Sequence, residues 1–124
     1  FFVLGANGTL LTSVDGGGTW VAQTSGTTAT LRDAVTGGGR TVIVGDGGTI
    51  LTGTDLVTWT PATSTTTQAL RRVVAGTRFV ASGANGVLLS SVDGLTWTAV
   101  NSGTTADLRG LAYGVVLDYL AVGT

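Results

Sequence analysis

The chain has 124 residues, with six Lys or Arg against seven Asp or Glu and a net charge of −1 at pH 7. Every cation is Arg, every anion is Asp, and His, Cys and Met are absent. That inventory excludes disulfides and ordinary His or Cys metal sites, offers no basic excess for nucleic acid, and leaves Asp and Tyr as the usual general bases, a poor basis for an enzyme.

The length suits one domain with a core. Mean hydropathy is +0.44, yet the most apolar stretch, 111–123, is interrupted by Asp118 and falls short of the roughly 20 residues a spanning helix needs. No membrane insertion is expected. Strands buried on both faces account for the hydropathy.

A repeat organises the chain. Trp20, Trp59 and Trp97 lie 39 and 38 residues apart, and the pairs Leu31-Arg32, Leu70-Arg71 and Leu108-Arg109 keep the same intervals. The first repeat, 1–30, holds three short strands: "FFVLG", "TLLTS" and "WVAQT". In the second, 31–69, a strand "LRDAV" precedes the equivalents "TVIVG", "TILTG" and "WTPAT". The third, 70–107, reads "LRRVV", "FVASG", "VLLSS" and "WTAVN", and a partial fourth, 108–124, ends after "LRGLA" and "YLAVG". Within each full repeat these are strands A to D. Asn7-Gly8 and Asn85-Gly86 mark tight B–C hairpins with both central residues at positive φ. Pro61 confines strand D to an edge, and the consecutive apolar residues of strand B place it mid-sheet.

Four antiparallel strands per period of about 38–40 residues predict an all-β fold, a β-propeller with roughly three blades present. The strand count exceeds three blades by one. This is the expectation for an array that continues beyond residue 124; two copies closing one six-bladed ring is the alternative.

The stretch before each Trp explains itself locally. Asp in a tight turn accepts backbone N–H groups, Gly supplies the turn's φ, and Trp packs beneath it. Ser13, Asp15, Thr19 and Trp20, then Asp55, Thr58 and Trp59, then Ser91, Asp93, Thr96 and Trp97 are therefore expected to be structural. "SVDGGGTW" (13–20) resembles the Asp-box, S-x-D-x-G-x-T-W, of BNR-type propellers, and the wider pattern is similar to bacterial propellers related to the photosystem II assembly factor. The later two boxes are one residue shorter between Asp and Trp, and the second has Gly53 in place of Ser. The resemblance implies boxes that lie away from the binding face.

The functional candidates are Arg32, Arg71 and Arg109, joined by Arg72, because strand A of a propeller blade lines the central channel. Guanidinium groups recurring there would hold a carboxylate, a phosphate or an acidic peptide. The alternative is that each caps carbonyls or pairs with an Asp such as Asp33 or Asp107. Val115, Val116 and Leu117, apolar where the other A–B turns are small and polar, form a candidate contact surface. No cofactor and no metal is expected.

The reading is a non-catalytic module binding a protein or glycan partner in a secreted or cell-envelope bacterial protein. A structural repeat of an extracellular assembly, with self-association completing the propeller, is the second reading. A fragment of a sialidase-like glycoside hydrolase is the third, with Tyr113, Tyr119 and Asp118 as its meagre inventory.

Overall fold

The structure is a computed structural model, and it describes residues 1–114 and 118–124. The candidate surface Val115, Val116 and Leu117 lies outside the described residues.

Four antiparallel sheets follow one another along the chain. The first contains β1 (Phe2–Leu4), β2 (Leu10–Thr12) and β3 (Val21–Ala22), in that spatial order. The second contains β4 (Leu31–Gly37), β5 (Arg40–Gly45), β6 (Ile50–Gly53) and β7 (Thr60–Ala62). In the third are β8 (Leu70–Ala75), β9 (Phe79–Gly83), β10 (Leu88–Ser91) and β11 (Thr98–Ala99). The last pairs β12 (Leu108–Gly114) with β13 (Asp118–Gly123). The two complete sheets are the four-stranded meanders that the repeat predicts.

The outermost strands differ in one respect from expectation. They begin at Val21, Thr60 and Thr98, one residue after each Trp rather than at it. The indole is drawn under the preceding turn, so the ladder starts only once the chain has left that turn. Pro61 sits opposite Leu51 in β7, an edge strand, where the missing N–H costs no ladder bond.

The core lies between sheets. Val42, Ile43 and Val44 of β5 are fully buried, and they divide between two clusters. Val42 and Val44 join Ile50, Leu70, Phe79, Leu89 and Trp97 between the second and third sheets. Ile43 joins Leu10, Leu31 and Leu51 between the first and second, with Phe2 and Trp59 packed edge-on beside them. Alternation along a single strand therefore feeds both interfaces. Each such side chain removed from water stabilises the stack by roughly 1.5–3 kcal/mol.

Tight turns close the B–C hairpins. Asn7 and Gly8 have φ of 55° and 69°, Asn85 and Gly86 54° and 71°, with Gly47 and Gly48 equivalent at 67° and 74°. Gly8, Gly48 and Gly86 also lie against the connection that leads to the next sheet. A Cβ on any of them would come within 1.9 Å of a threonine carbonyl, that of Thr27, Thr66 or Thr104.

Candidate functional site

The repeated Leu-Arg pair has a specific backbone geometry. In β4 the register with β5 slips between Leu31 and Asp33, in β8 with β9 between Leu70 and Arg72, and in β12 with β13 between Leu108 and Gly110. Arg32, Arg71 and Arg109 are thus the extra residues of three equivalent β-bulges. A bulge turns a side chain away from the alternation of its strand. The preceding leucines stay buried, at 2%, 0% and 6% exposure, while Arg32 and Arg109 are exposed and Arg71 is half-buried. A close approach supports each bulge: a Cβ on Gly45, Gly83 or Gly123 would meet the carbonyl of Thr30, Ala69 or Asp107 at 2.0–2.3 Å.

These arginines converge. Arg32, Arg71, Arg72 and Arg109 line one open groove of about 470 Å³ with Thr30 and Leu31. Of the two aspartates expected as partners, Asp107 is engaged, whereas Asp33 pairs with no arginine among the described residues. Arg32 forks onto Asp46, with Nη2 donating to Oδ2 at 2.9 Å and Nε donating to Oδ1. Asp33 instead accepts the backbone N–H of Val73 at 3.0 Å, tying β4 to β8. Asp107 is shared, with Arg109 Nη2 at 3.2 Å and Arg71 Nη2 at 3.6 Å from its Oδ2, while its Oδ1 accepts the N–H of Asn85. Arg72 donates from Nε to the carbonyl of Arg109 at 3.2 Å.

The hydrogen bond from Arg32 holds the Asp46 carboxyl below its ordinary range, and the charges of Arg32 and Arg71 add to that effect. Reciprocally, Asp46 raises the Arg32 guanidinium. Four guanidinium groups against the carboxylates of Asp46 and Asp107 leave the groove positive. Exposed ion pairs contribute only about 0.2–1 kcal/mol each, so an incoming anion competes with these contacts at little cost.

The residues before each Trp do what the local reading requires. Asp15 accepts the Thr19 N–H at 2.9 Å, the Thr19 hydroxyl and the Ser13 hydroxyl. These bonds, that of the Thr19 hydroxyl foremost, lower its carboxyl to about 2. Asp93 accepts the N–H groups of Leu95 and Thr96, with Ser91 bridging it to the N–H of Gly94. Asp55 accepts from Val57 and Thr58. The indoles of Trp20 and Trp97 donate to the carbonyls of Gly17 and Gly94, whereas the Trp59 Nε1 is buried without a partner among the described residues. These turns join strand C to strand D, at the opposite end of each blade from the bulges.

Sequence reasoning missed four contributors. Asp46 lies inside a glycine-rich turn and was given no role. Asn85, which meets both Asp107 and Gln68, was read only as a hairpin residue. Ser25 and Ser102 turn inward to donate to the carbonyls of Gly8 and Gly86 at 2.7 Å; the signal was there, in the serine shared by "TSGTT", "TSTTT" and "NSGTT".

No family profile matches the chain, and no curated protein does. Among solved structures, the chain is similar to one titled "YCF48 bound to D1 peptide", with a TM-score of 0.78 at 21% sequence identity. The match covers 99% of this chain. The fold is a β-propeller. The chain spans 43% of the propeller protein it matches.

Proposed function

We propose that this propeller segment is a non-catalytic binding module, and that its arginine groove receives an acidic peptide segment of a protein partner. The observation that carries the reading is the threefold bulge: three sheets expend a ladder position at the same place, and each delivers a guanidinium to one groove. The similar solved structure holds a peptide, by its title, which supports a protein partner over a glycan. In the residues before each Trp we read Asp-boxes of the BNR type, with a structural role. A secreted or cell-envelope setting in a bacterium is part of the same reading.

The hydrolase reading loses its most useful tyrosine. Tyr119 Oη both donates to the Arg78 carbonyl at 2.6 Å and accepts the Arg78 N–H at 2.9 Å, a clamp between sheets that already engages its proton. Titration of an aspartate-rich peptide at low ionic strength tests the binding reading. The double variant Arg72→Ala/Arg109→Ala is expected to bind at least about tenfold more weakly, since bonds from charged donors carry about 1.5–3 kcal/mol. Unchanged affinity would remove the groove as the site.

A second reading, self-association through end faces, has its own observation. Val3 and Trp20 are 42% and 41% exposed on the first sheet, and Leu120 and Val122 are 56% and 55% exposed on the last. Their repeat counterparts Ile43, Val42 and Val44 are at 0% and Trp97 at 4% between sheets. Head-to-tail contact would bury the same pattern again. The 124-residue chain is expected to associate in sedimentation experiments, and Leu120→Lys/Val122→Lys to disperse it; a wild-type monomer at high concentration counts against this reading.

A further inference from the structure

The bulge arginines occupy equivalent backbone positions and unequal surroundings. On the second sheet, Asp46 opens the B–C turn and saturates the Arg32 fork through both Nε and Nη2. On the third sheet the same place belongs to Ala84. The turns superpose in their bonding: Asp46 N–H donates to the Thr30 carbonyl at 2.9 Å and Ala84 N–H to the Ala69 carbonyl at 2.9 Å. The residues before them match as well, with φ of −164° at Gly45 and −167° at Gly83. Ala84 therefore points its Cβ where Asp46 points its carboxylate.

Arg71 consequently lacks a carboxylate from its own sheet. It reaches instead for Asp107, which precedes the next sheet, and meets it only at 3.6 Å while Arg109 holds the same oxygen at 3.2 Å. Its Nε is covered and has no hydrogen-bond partner among the described residues. A covered donor without an acceptor is a standing cost that a second oxygen removes. Arg72, exposed on the same strand, adds a further charge beside it.

We propose that the groove contains a specific carboxylate slot over Ala84, in which the Arg71 fork takes an acidic side chain or chain-terminal carboxylate of the bound segment, as the Arg32 fork takes Asp46. This rests on the acidic-peptide reading above and assigns its anchoring position. The template is internal to the molecule. A planar carboxylate on a short tether already fills the equivalent slot one sheet earlier, and two parallel N–H···O bonds select that shape.

The test is calorimetric titration of a hexa-aspartate peptide, as free acid and as C-terminal amide, at low ionic strength. Ala84→Asp places a resident carboxylate in the slot, and affinity is expected to fall about tenfold or more. Ala84→Asn, similar in size and uncharged, is expected to stay within about threefold of wild type. Val14→Asp makes the same charge change at a site 88% exposed on a C–D turn, and is expected to leave affinity within about twofold. Asp46→Ala opens the second slot and is expected to raise affinity; this arm also decides the matter should Ala84→Asp fail to fold. Binding by free acid alone identifies a chain terminus as the anchor, and equal binding by the amide identifies a side chain; each is the proposed carboxylate. Wild-type affinity in Ala84→Asp, or equal loss in Val14→Asp, overturns the slot and leaves the groove reading standing. No binding by wild type overturns both.

Discussion

Thr65 and Leu56 hold φ of 66° and 62°, in the left-handed region where a side chain's Cβ crowds the backbone. Their repeat counterparts are glycines: Gly26 and Gly103 for Thr65, Gly94 for Leu56, each at φ 78°. The second repeat has therefore drifted from the residue its own turns favour. Thr65→Gly and Leu56→Gly are each expected to stabilise the fold by about 0.5–1 kcal/mol, the relief of strain outweighing the added freedom of glycine in the unfolded chain. Shifted urea midpoints at constant m-value would show it; a loss of stability at both sites would contradict the assigned backbone.

The Asp turns carry an acid dependence with a definite sign. Asp15 is depressed to about 2, and Asp46, Asp55 and Asp93 are lowered too. A carboxyl with a folded value below its unfolded value stabilises the fold above the unfolded value of about 3.9. That contribution is lost as pH falls from about 4 toward 2. Melting temperature should drop across this window, and Asp15→Asn should flatten the drop while lowering the plateau at neutral pH. The Asp–Trp turns were legible in the sequence because their bonds are local, within five residues. Asp46 was not, because its partner Arg32 is fourteen residues away in the chain and only the fold brings the two together.

At the scale of elements, period and alternation were enough to place all thirteen strands of the described structure. Strand B announced its burial on both faces by carrying Val42, Ile43 and Val44 in a row. What the pattern could not show was the bulge. One extra residue in strand A does not alter the repeat length, and Leu-Arg reads as ordinary in–out alternation until the register with the next strand is known. The glycine ending strand B is the element's hidden requirement. Gly83→Ala would bring a Cβ within 2.0 Å of the Ala69 carbonyl, where backbone has to move. A cost of about 2–3 kcal/mol is expected from such overpacking, together with weakened binding in the groove, because the displaced segment carries Leu70 and Arg71. Denaturation and titration of the same variant would check both; wild-type stability would mean that the bulge is not held as described.

At the scale of the molecule, strand direction divides the arginines, with four at the groove end and Arg40 and Arg78 beside Asp93 at the other. The bulges, B–C turns and D–A connections share one end, with Arg32, Arg71, Arg72 and Arg109, and the Asp–Trp turns lie at the other. Sequence reading places the arginines on the innermost strand through the propeller topology and leaves open whether they bind anions or serve the repeat; in the structure β8 lies between β4 and β12. Arg32 is spent on Asp46, while Arg71 meets Asp107 only at 3.6 Å. Anion binding at this end should weaken steeply with salt, because the groove is open and its field is screened within about 8 Å at physiological ionic strength.

The most direct test is to follow backbone amide resonances while an aspartate-rich peptide is added at low salt. The account predicts shifts concentrated at residues 30–32, 70–72, 84–85 and 107–109, reversed by salt. Shifts concentrated instead at 37–40 and 75–79, on the opposite end of the same strands, would contradict it.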